Sequence, residues 1–334
     1  MIKIDNIFIR NFKNYSLSSF KFNKFNIIYG ENGIGKTNLL ESIFMILNNH
    51  PFDKNIRTIQ QNKNIKTTIN GSVQSANNRY NLYIEVNNNK KTSKINSKLA
   101  KTIEFKEKFP VLLYSIKSFI NFKNKQYIFS LLDRNIFMKD KIILNELLEY
   151  NKIIKLKRNI LKKLPADTTL INIANEKLVE LIKNISNKRE KSVELINEKM
   201  VKIFEKFSHK NLKIKYEKKK IEKTLFNKEL YEKRIIISLN RDVFHIYLDE
   251  KELFLYSSLG EKKILLFCMI YSIALQYNEI KKPILLIDDL EGDLDNHMKK
   301  LITGILKDMP NQIFLTTLEH YDNTQNMINL AKGN

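Results

Sequence analysis

The hydrophobic rhythm of the chain changes along its length. Residues 2–10 and 16–28 alternate or run apolar, as do 80–86 and 111–114, with Asn/Lys-rich turns between them, so the opening third is predicted to be strand-rich. From about 135 to 207 the spacing lengthens. Ile142, Ile143, Leu147 and Leu148, and later Leu178, Leu181, Ile182, Ile185, Val193, Ile196, Met200 and Ile203, recur at three- and four-residue intervals, which predicts long amphipathic helices interrupted near Pro165. Strand character returns at 213–216, 234–239 and 245–248, followed by an apolar helix over 261–277 and a strand at 283–287. The Asn/Lys stretch 87–98 reads as a solvated hairpin or loop, and no fixed-period repeat is visible. The expected fold class is α/β: a discontinuous head, 1–134 with 208–334, split by a helical arm at 135–207.

Between the strand pattern at 25–29 and the helical pattern from Asn38 lies Gly30-Glu31-Asn32-Gly33-Ile34-Gly35-Lys36-Thr37, a G-x-x-x-x-G-K-T phosphate-binding loop. Three of the chain's eight glycines fall within six residues there, in the strand–turn–helix context the motif needs. The glycines let backbone N–H groups curl around phosphates, Lys36 offers a point charge to the β- and γ-phosphates, and Thr37 offers a hydroxyl to Mg²⁺. Asn38 completes the expected cofactor-binding run, and ATP with Mg²⁺ is the expected ligand. Such a loop needs a carboxylate on a neighbouring strand to hold the metal. Ile284-Leu285-Leu286-Ile287-Asp288-Asp289 supplies four aliphatics followed by acid, with Asp288 expected on Mg²⁺ and Asp289 orienting the attacking water. The acid-rich Glu291-Gly292-Asp293-Leu294-Asp295 follows.

The formal charge of +22 is uneven. Residues 1–234 hold 48 of the 58 basic and 22 of the 36 acidic residues, leaving the last hundred mildly acidic. A polycationic body suits a polyanion such as nucleic acid, although 50 of the basic residues are lysine in an Asn- and Ile-rich chain, a bias that AT-rich coding also produces. The lone Cys268 lies in an apolar run and reads as a small buried hydrophobe, so no disulfide is possible within the chain. That run is too short to span a bilayer, the N-terminus has no signal-like pattern, and His50, His209, His245, His297 and His320 are scattered without ligand-like pairing. A cytoplasmic protein without a structural metal is expected.

Tyr256-Ser257-Ser258-Leu259-Gly260-Glu261-Lys262-Lys263, just before the apolar helix, resembles the signature motif of the ABC ATPase class. In that class the motif caps the γ-phosphate of ATP held by the other protomer, which assigns Ser257, Ser258 and Gly260 to the site in trans. The simpler alternative is a Ser-Ser helix cap with a chance glycine.

Further segments narrow the resemblance to the RecF DNA replication and repair family. They are Ile9-Arg10-Asn11-Phe12-Lys13-Asn14-Tyr15, Phe109-Pro110-Val111-Leu112-Leu113-Tyr114-Ser115, Leu132-Asp133-Arg134, Tyr150 and Arg241-Asp242, followed by the signature and the acidic strand in the family's order. The resemblance covers nearly the whole chain. It implies an ABC-type head of mixed sheets around the phosphate loop, with an inserted helical lobe. It also implies ATP-dependent head-to-head dimerisation on double-stranded, single-stranded or gapped DNA, weak DNA-dependent ATP hydrolysis, and recombination mediator proteins as partners in repair and replication restart.

The chain departs from the family pattern at Ile116-Lys117-Ser118, in lacking an arginine pair before Leu132, at Val243 and at Glu261. Its strand ending Thr316-Thr317 is the RecF-like form. Two other readings share the motifs: the ATPase subunit of a membrane transporter, and a DNA-binding module that keeps the fold and has lost turnover.

Overall fold

The computed structural model describes residues 1–52, 55–162, 168–290, 292, 294–318 and 327–330. Contacts divide the chain into two units, one of residues 1–120 with 274–334 and one of residues 121–273. The second therefore contains, besides the expected arm at 135–207, residues 121–134 and 208–273.

In the first unit the alternating opening third becomes an antiparallel sheet. β1 (Ile2–Phe12) pairs with β2 (Tyr15–Lys21), β3 (Phe25–Tyr29) leaves for a second sheet, and β4 (Thr67–Ser75), β5 (Asn78–Asn87), β6 (Lys90–Ile95) and β7 (Lys98–Leu99) complete the order β2-β1-β4-β5-β6-β7. The expected single strand over 16–28 is thus two strands. Between them the Asn26 side chain accepts from the Asn23 N–H and donates to the Asn23 carbonyl, a local turn that competes with strand extension. The buried isoleucines of β1 run 2, 4, then 7, 9. A bulge opposite β4 between Ile4 and Asn6 absorbs that change of parity and keeps one face apolar. β4 was not anticipated, whereas the Asn/Lys stretch forms the hairpin of β5 and β6.

The second sheet is parallel, in the order β14-β3-β13-β12-β8, with β8 (Val111–Tyr114), β12 (Ile284–Ile287), β13 (Ile313–Thr317) and β14 (Met327–Asn329). Its central strands β12 and β13 are short, mainly apolar runs buried on both faces, as interior parallel strands require. Helix α1 (Lys36–Asn48) is buried from Leu39 onward and packs against strands of both sheets, which makes it the centre of this unit's core. α2 (Thr102–Lys108) and α3 (Ile116–Phe122) flank β8 in sequence.

In the second unit α4 (Lys125–Lys139), α5 (Ile142–Leu161) and the 37-residue α6 (Thr168–Phe204) pack on one another and on a small sheet, β11-β10-β9, formed by β9 (Leu212–Glu217), β10 (Val243–Leu248) and β11 (Lys251–Glu252). Helix thus begins about ten residues before the expected 135. The interruption expected near Pro165 lies outside the described residues. α7 (Lys223–Glu232), α8 (Leu253–Tyr256) and α9 (Leu259–Asn278) follow, and α10 (Asn296–Lys307) belongs to the first unit.

The expected strand at 234–239 is not one. The Ile236 and Ile237 N–H groups donate to Glu229 Oε1 at 2.7 and 2.8 Å, so a buried carboxylate takes the place of a neighbouring strand. Glu229 Oε2 accepts from the equally buried Lys157 Nζ at 2.5 Å. Two family-like segments have their partners in this unit. Asp133 takes a two-pronged bond from Arg189 at 2.7 Å on each prong, and buried Asp242 accepts from Ser186, Tyr216 and the Lys219 N–H. Cys268 is fully buried in α9, and burial pushes its thiol pKa well up.

Candidate nucleotide-binding site

The phosphate loop connects β3 to α1, and its glycines adopt backbone angles that side chains disfavour: φ is +149° at Gly30, +79° at Gly33 and +117° at Gly35. At Gly35 space is closed as well. A Cβ there would lie 2.4 Å from Asn14 Nδ2 and 3.0 Å from the Tyr15 hydroxyl.

Those neighbours brace the loop. Asn14 donates to the Ile34 carbonyl at 2.9 Å and accepts from Asn38 Nδ2 at 2.7 Å, while Tyr15 donates to the Gly35 carbonyl at 3.1 Å. Lys13, on the same tight turn, pairs with the buried Glu41 of α1. No spacing rule ties residue 14 to residue 34. Asn14 and Tyr15 belong to the family-like N-terminal segment, and their contacts supply its physical content.

At the helix N-terminus, Gly35 offers no side-chain cap, so the first N–H groups of α1 are left to be satisfied from outside the helix. Lys36 Nζ donates to the Gly30 and Glu31 carbonyls at 2.6 and 2.9 Å, folding its ammonium onto the loop. Partial burial lowers its pKa, opposed by the negative charges of Asp289 and Asp288.

Thr37 Oγ1 lies 3.0 Å from both carboxylate oxygens of Asp288. That carboxylate does not come from the strand beside β3, as expected; β13 lies between β3 and β12. The intervening strand contributes a hydroxyl of its own. Thr316 Oγ1 donates to Asp288 Oδ1 at 2.9 Å and accepts from the Asp289 N–H at 3.0 Å. One hydroxyl therefore links the metal-binding candidate to the residue expected to orient water. Asp289 is exposed and held at φ +52°, a left-handed angle uncommon outside glycine.

Asp288 is only 5% exposed. Burial raises its carboxyl pKa above the usual range and the charge of Asp289 adds to this, while hydrogen bonds from Thr316 and Thr37 and the charge of Lys36 oppose it. Hard oxygen donors around a desolvated carboxylate suit Mg²⁺, and an uncapped helix start beside a lysine suits a polyphosphate, so these residues fit Mg²⁺–ATP.

The signature residues lie in the second unit. Ser258 caps α9 reciprocally: its Oγ accepts from the Glu261 N–H at 3.2 Å, and Glu261 Oε2 accepts from the Ser258 N–H at 2.8 Å. The cap reading of this serine is thus fulfilled without consuming Ser257 or Gly260. Glu261, the departure from the expected Gln, also pairs with Lys210 at 2.5 Å. Leu255, Tyr256 and Leu259 around the motif are exposed. At Ile116-Lys117-Ser118, Ser115 Oγ accepts from the Ser118 N–H at 3.2 Å, starting α3. Glu291, Asp293 and His320 lie outside the described residues.

A glycine loop opening a buried helix, an acidic strand two places away in a parallel sheet, and a flanking antiparallel sheet define an ATPase head of the ABC/SMC type. The chain belongs to the family described as AAA domain, putative AbiEii toxin, Type IV TA system, whose model matches residues 25–317, and among the ABC/SMC-type ATPases to the RecF family. The DNA replication and repair protein RecF of Caldanaerobacter subterraneus subsp. tengcongensis is 28% identical, with 93% of this chain and 92% of that protein covered. RecF of Carboxydothermus hydrogenoformans is 25% identical, with 96% and 95% covered. Among solved structures, the recombination mediator protein RecF-ATP of the RecFOR pathway superposes with a TM-score of 0.82 at 26% identity, covering 96% of this chain and 93% of that one. The Smc head domain of Pyrococcus furiosus shares the fold, with a TM-score of 0.57 at 15% identity and 96% of this chain and 90% of that one covered.

Proposed function

We propose that this protein is an ATP-switched DNA-binding protein of recombinational repair and replication restart. Two copies join head to head on DNA with ATP between them, and slow, DNA-stimulated hydrolysis releases them. The observation that carries the ATP half of this reading is the cluster of Lys36, Thr37, Asp288 and Thr316 beside an uncapped helix start. The likeness to RecF-ATP over nearly the whole chain supports it.

Bound Mg²⁺–ATP supplies the phosphoryl group whose hydrolysis acts as the switch. Within one copy, Gly30 to Asn38 cradle the phosphates, with Glu31 and Asn32 on the loop's outer turn. Lys36 would offer its ammonium to a phosphate oxygen, Thr37 and Asp288 would hold Mg²⁺, and Asp289 would orient the attacking water. Ser257, Ser258 and Gly260 of the second copy complete the site, and exposed Leu255, Tyr256 and Leu259 are the apolar surface that such pairing would cover. The functional partition is a head of 1–134 with 208–334 and an arm of 135–207. Recombination mediator proteins are the partners and the cytoplasm is the compartment. Among the described residues no helix is long and apolar enough to cross a membrane.

Phosphate contacts from a body rich in Lys and Arg make DNA affinity steeply salt-dependent. Between low and physiological salt, duplex affinity should fall by about a hundredfold or more. An affinity that hardly moves with salt would contradict the DNA role. A second reading, the module without turnover, is favoured by a short Asp at position 289 held at an unusual backbone angle. ATP turnover that disappears in Asp289→Asn would reject it.

A further inference from the structure

The outer face of the antiparallel sheet carries an ordered set of side chains that the nucleotide site does not use. Strand register sets Phe8 opposite Asn70, Asn70 opposite Tyr83 and Tyr83 opposite Lys94, so these four stand in line across β1, β4, β5 and β6. One pleat along, Asn6, Ser72 and Asn81 form a second row. The two rows line a hollow of about 430 Å³, roomy enough for a nucleotide. The Phe8 side of the row is open, at 40% exposure, and the Lys94 ammonium lies 5.8 Å from the centre of the Tyr83 ring.

The charge on this face favours an anion. Its carboxylates are already matched, Asp5 with Lys3 and Arg79, and Glu85 with Lys66 and the Tyr83 hydroxyl. Arg10, Lys21 and Lys94 add positive charge on the same face. Aromatic rings offer stacking surfaces, side-chain amides offer paired donors and acceptors, and lysine offers a phosphate contact. Spaced on an open sheet, that set matches unstacked bases on a flexible backbone, whereas a duplex keeps its base faces covered.

We propose that the outer face of this sheet is a binding platform for single-stranded nucleic acid, with Phe8 and Tyr83 stacking bases, Asn70 and Asn81 meeting base edges and Lys94 meeting a phosphate. The inference rests on the DNA-binding reading above and assigns one part of it a place.

The test is fluorescence anisotropy with a labelled short thymidine oligomer and, separately, a blunt duplex, without ATP. Tyr83→Ala should weaken oligomer binding about fivefold or more, Tyr83→Phe should bind as the parent does, and duplex affinity should not change. Lys94→Ala, at a side chain outside the core, should lower the salt slope of oligomer binding by about one. ATP binding and a melting curve check that each variant is folded, and Lys94→Ala carries the test if Tyr83→Ala is not. Unchanged oligomer binding in the folded variants, or equal losses for oligomer and duplex, would overturn the platform alone. A parent protein that binds neither DNA would overturn the DNA-binding reading itself.

Discussion

At the residue scale, the glycine-rich loop was legible because it depends on residue types at fixed spacing, and Thr37 and Asp288, far apart in the chain, come within hydrogen-bond distance. Thr316 was legible only as a strand ending. Its hydroxyl acquires meaning from β13 lying between β3 and β12, an order that no spacing along the chain reveals. Removing the loop cation in Lys36→Ala should weaken ATP binding by roughly 10- to 100-fold, the usual worth of a charge-assisted hydrogen bond. ATP-dependent association should be lost while basal DNA binding is kept. Parallel titrations of labelled ATP and duplex check this, and equal loss of both would show that the two activities are not separable.

Asp288 makes a second residue-scale prediction, about pH. Its carboxyl pKa is raised in the folded state, chiefly by burial, so the native chain takes up a proton more readily than the unfolded chain. The ionised form therefore costs stability at neutral pH, and that cost fades as pH falls through the raised pKa. Without nucleotide, Asp288→Asn should melt higher than the parent at neutral pH and converge with it in acid, while losing Mg²⁺-dependent ATP binding. A melting difference that stays constant from neutral to acid pH would remove burial of the charge as its cause.

At the scale of elements, the strands bordering the site and the apolar helix were legible because their apolar runs are short, aliphatic and bounded by turn residues. The error at 234–239 has an electrostatic origin. An apolar run can satisfy its N–H groups on a buried carboxylate as well as on a strand, and no periodicity rule ties residues 236 and 237 to Glu229, whose own partner Lys157 sits on a helix far earlier in the chain. Lys157 and Glu229 are almost completely buried, so breaking the pair strands a charge. Glu229→Leu also removes the acceptor for two backbone donors. It should destabilise the second unit by about 3–5 kcal/mol in urea unfolding, whereas a cost below about 1 kcal/mol would mean that water reaches Lys157.

For the whole molecule, the α/β class and the ABC-type head were legible from motif order, while the two-unit division was not. Amphipathic spacing marks where helices run and says nothing about the small sheet β11-β10-β9 packing with them rather than with the larger sheets. The charge asymmetry also belongs to this scale, since it sets how the molecule meets a polyanion. The central claim is that ATP joins two copies across the loop of one and the signature of the other. Asp289→Asn is expected to bind ATP and stall before hydrolysis, which makes it the protein to weigh. Light scattering of that protein with a short gapped duplex, with and without Mg²⁺–ATP, should give a protein mass that doubles only when ATP is present. A mass of one protein copy throughout, with ATP demonstrably bound, would contradict the account.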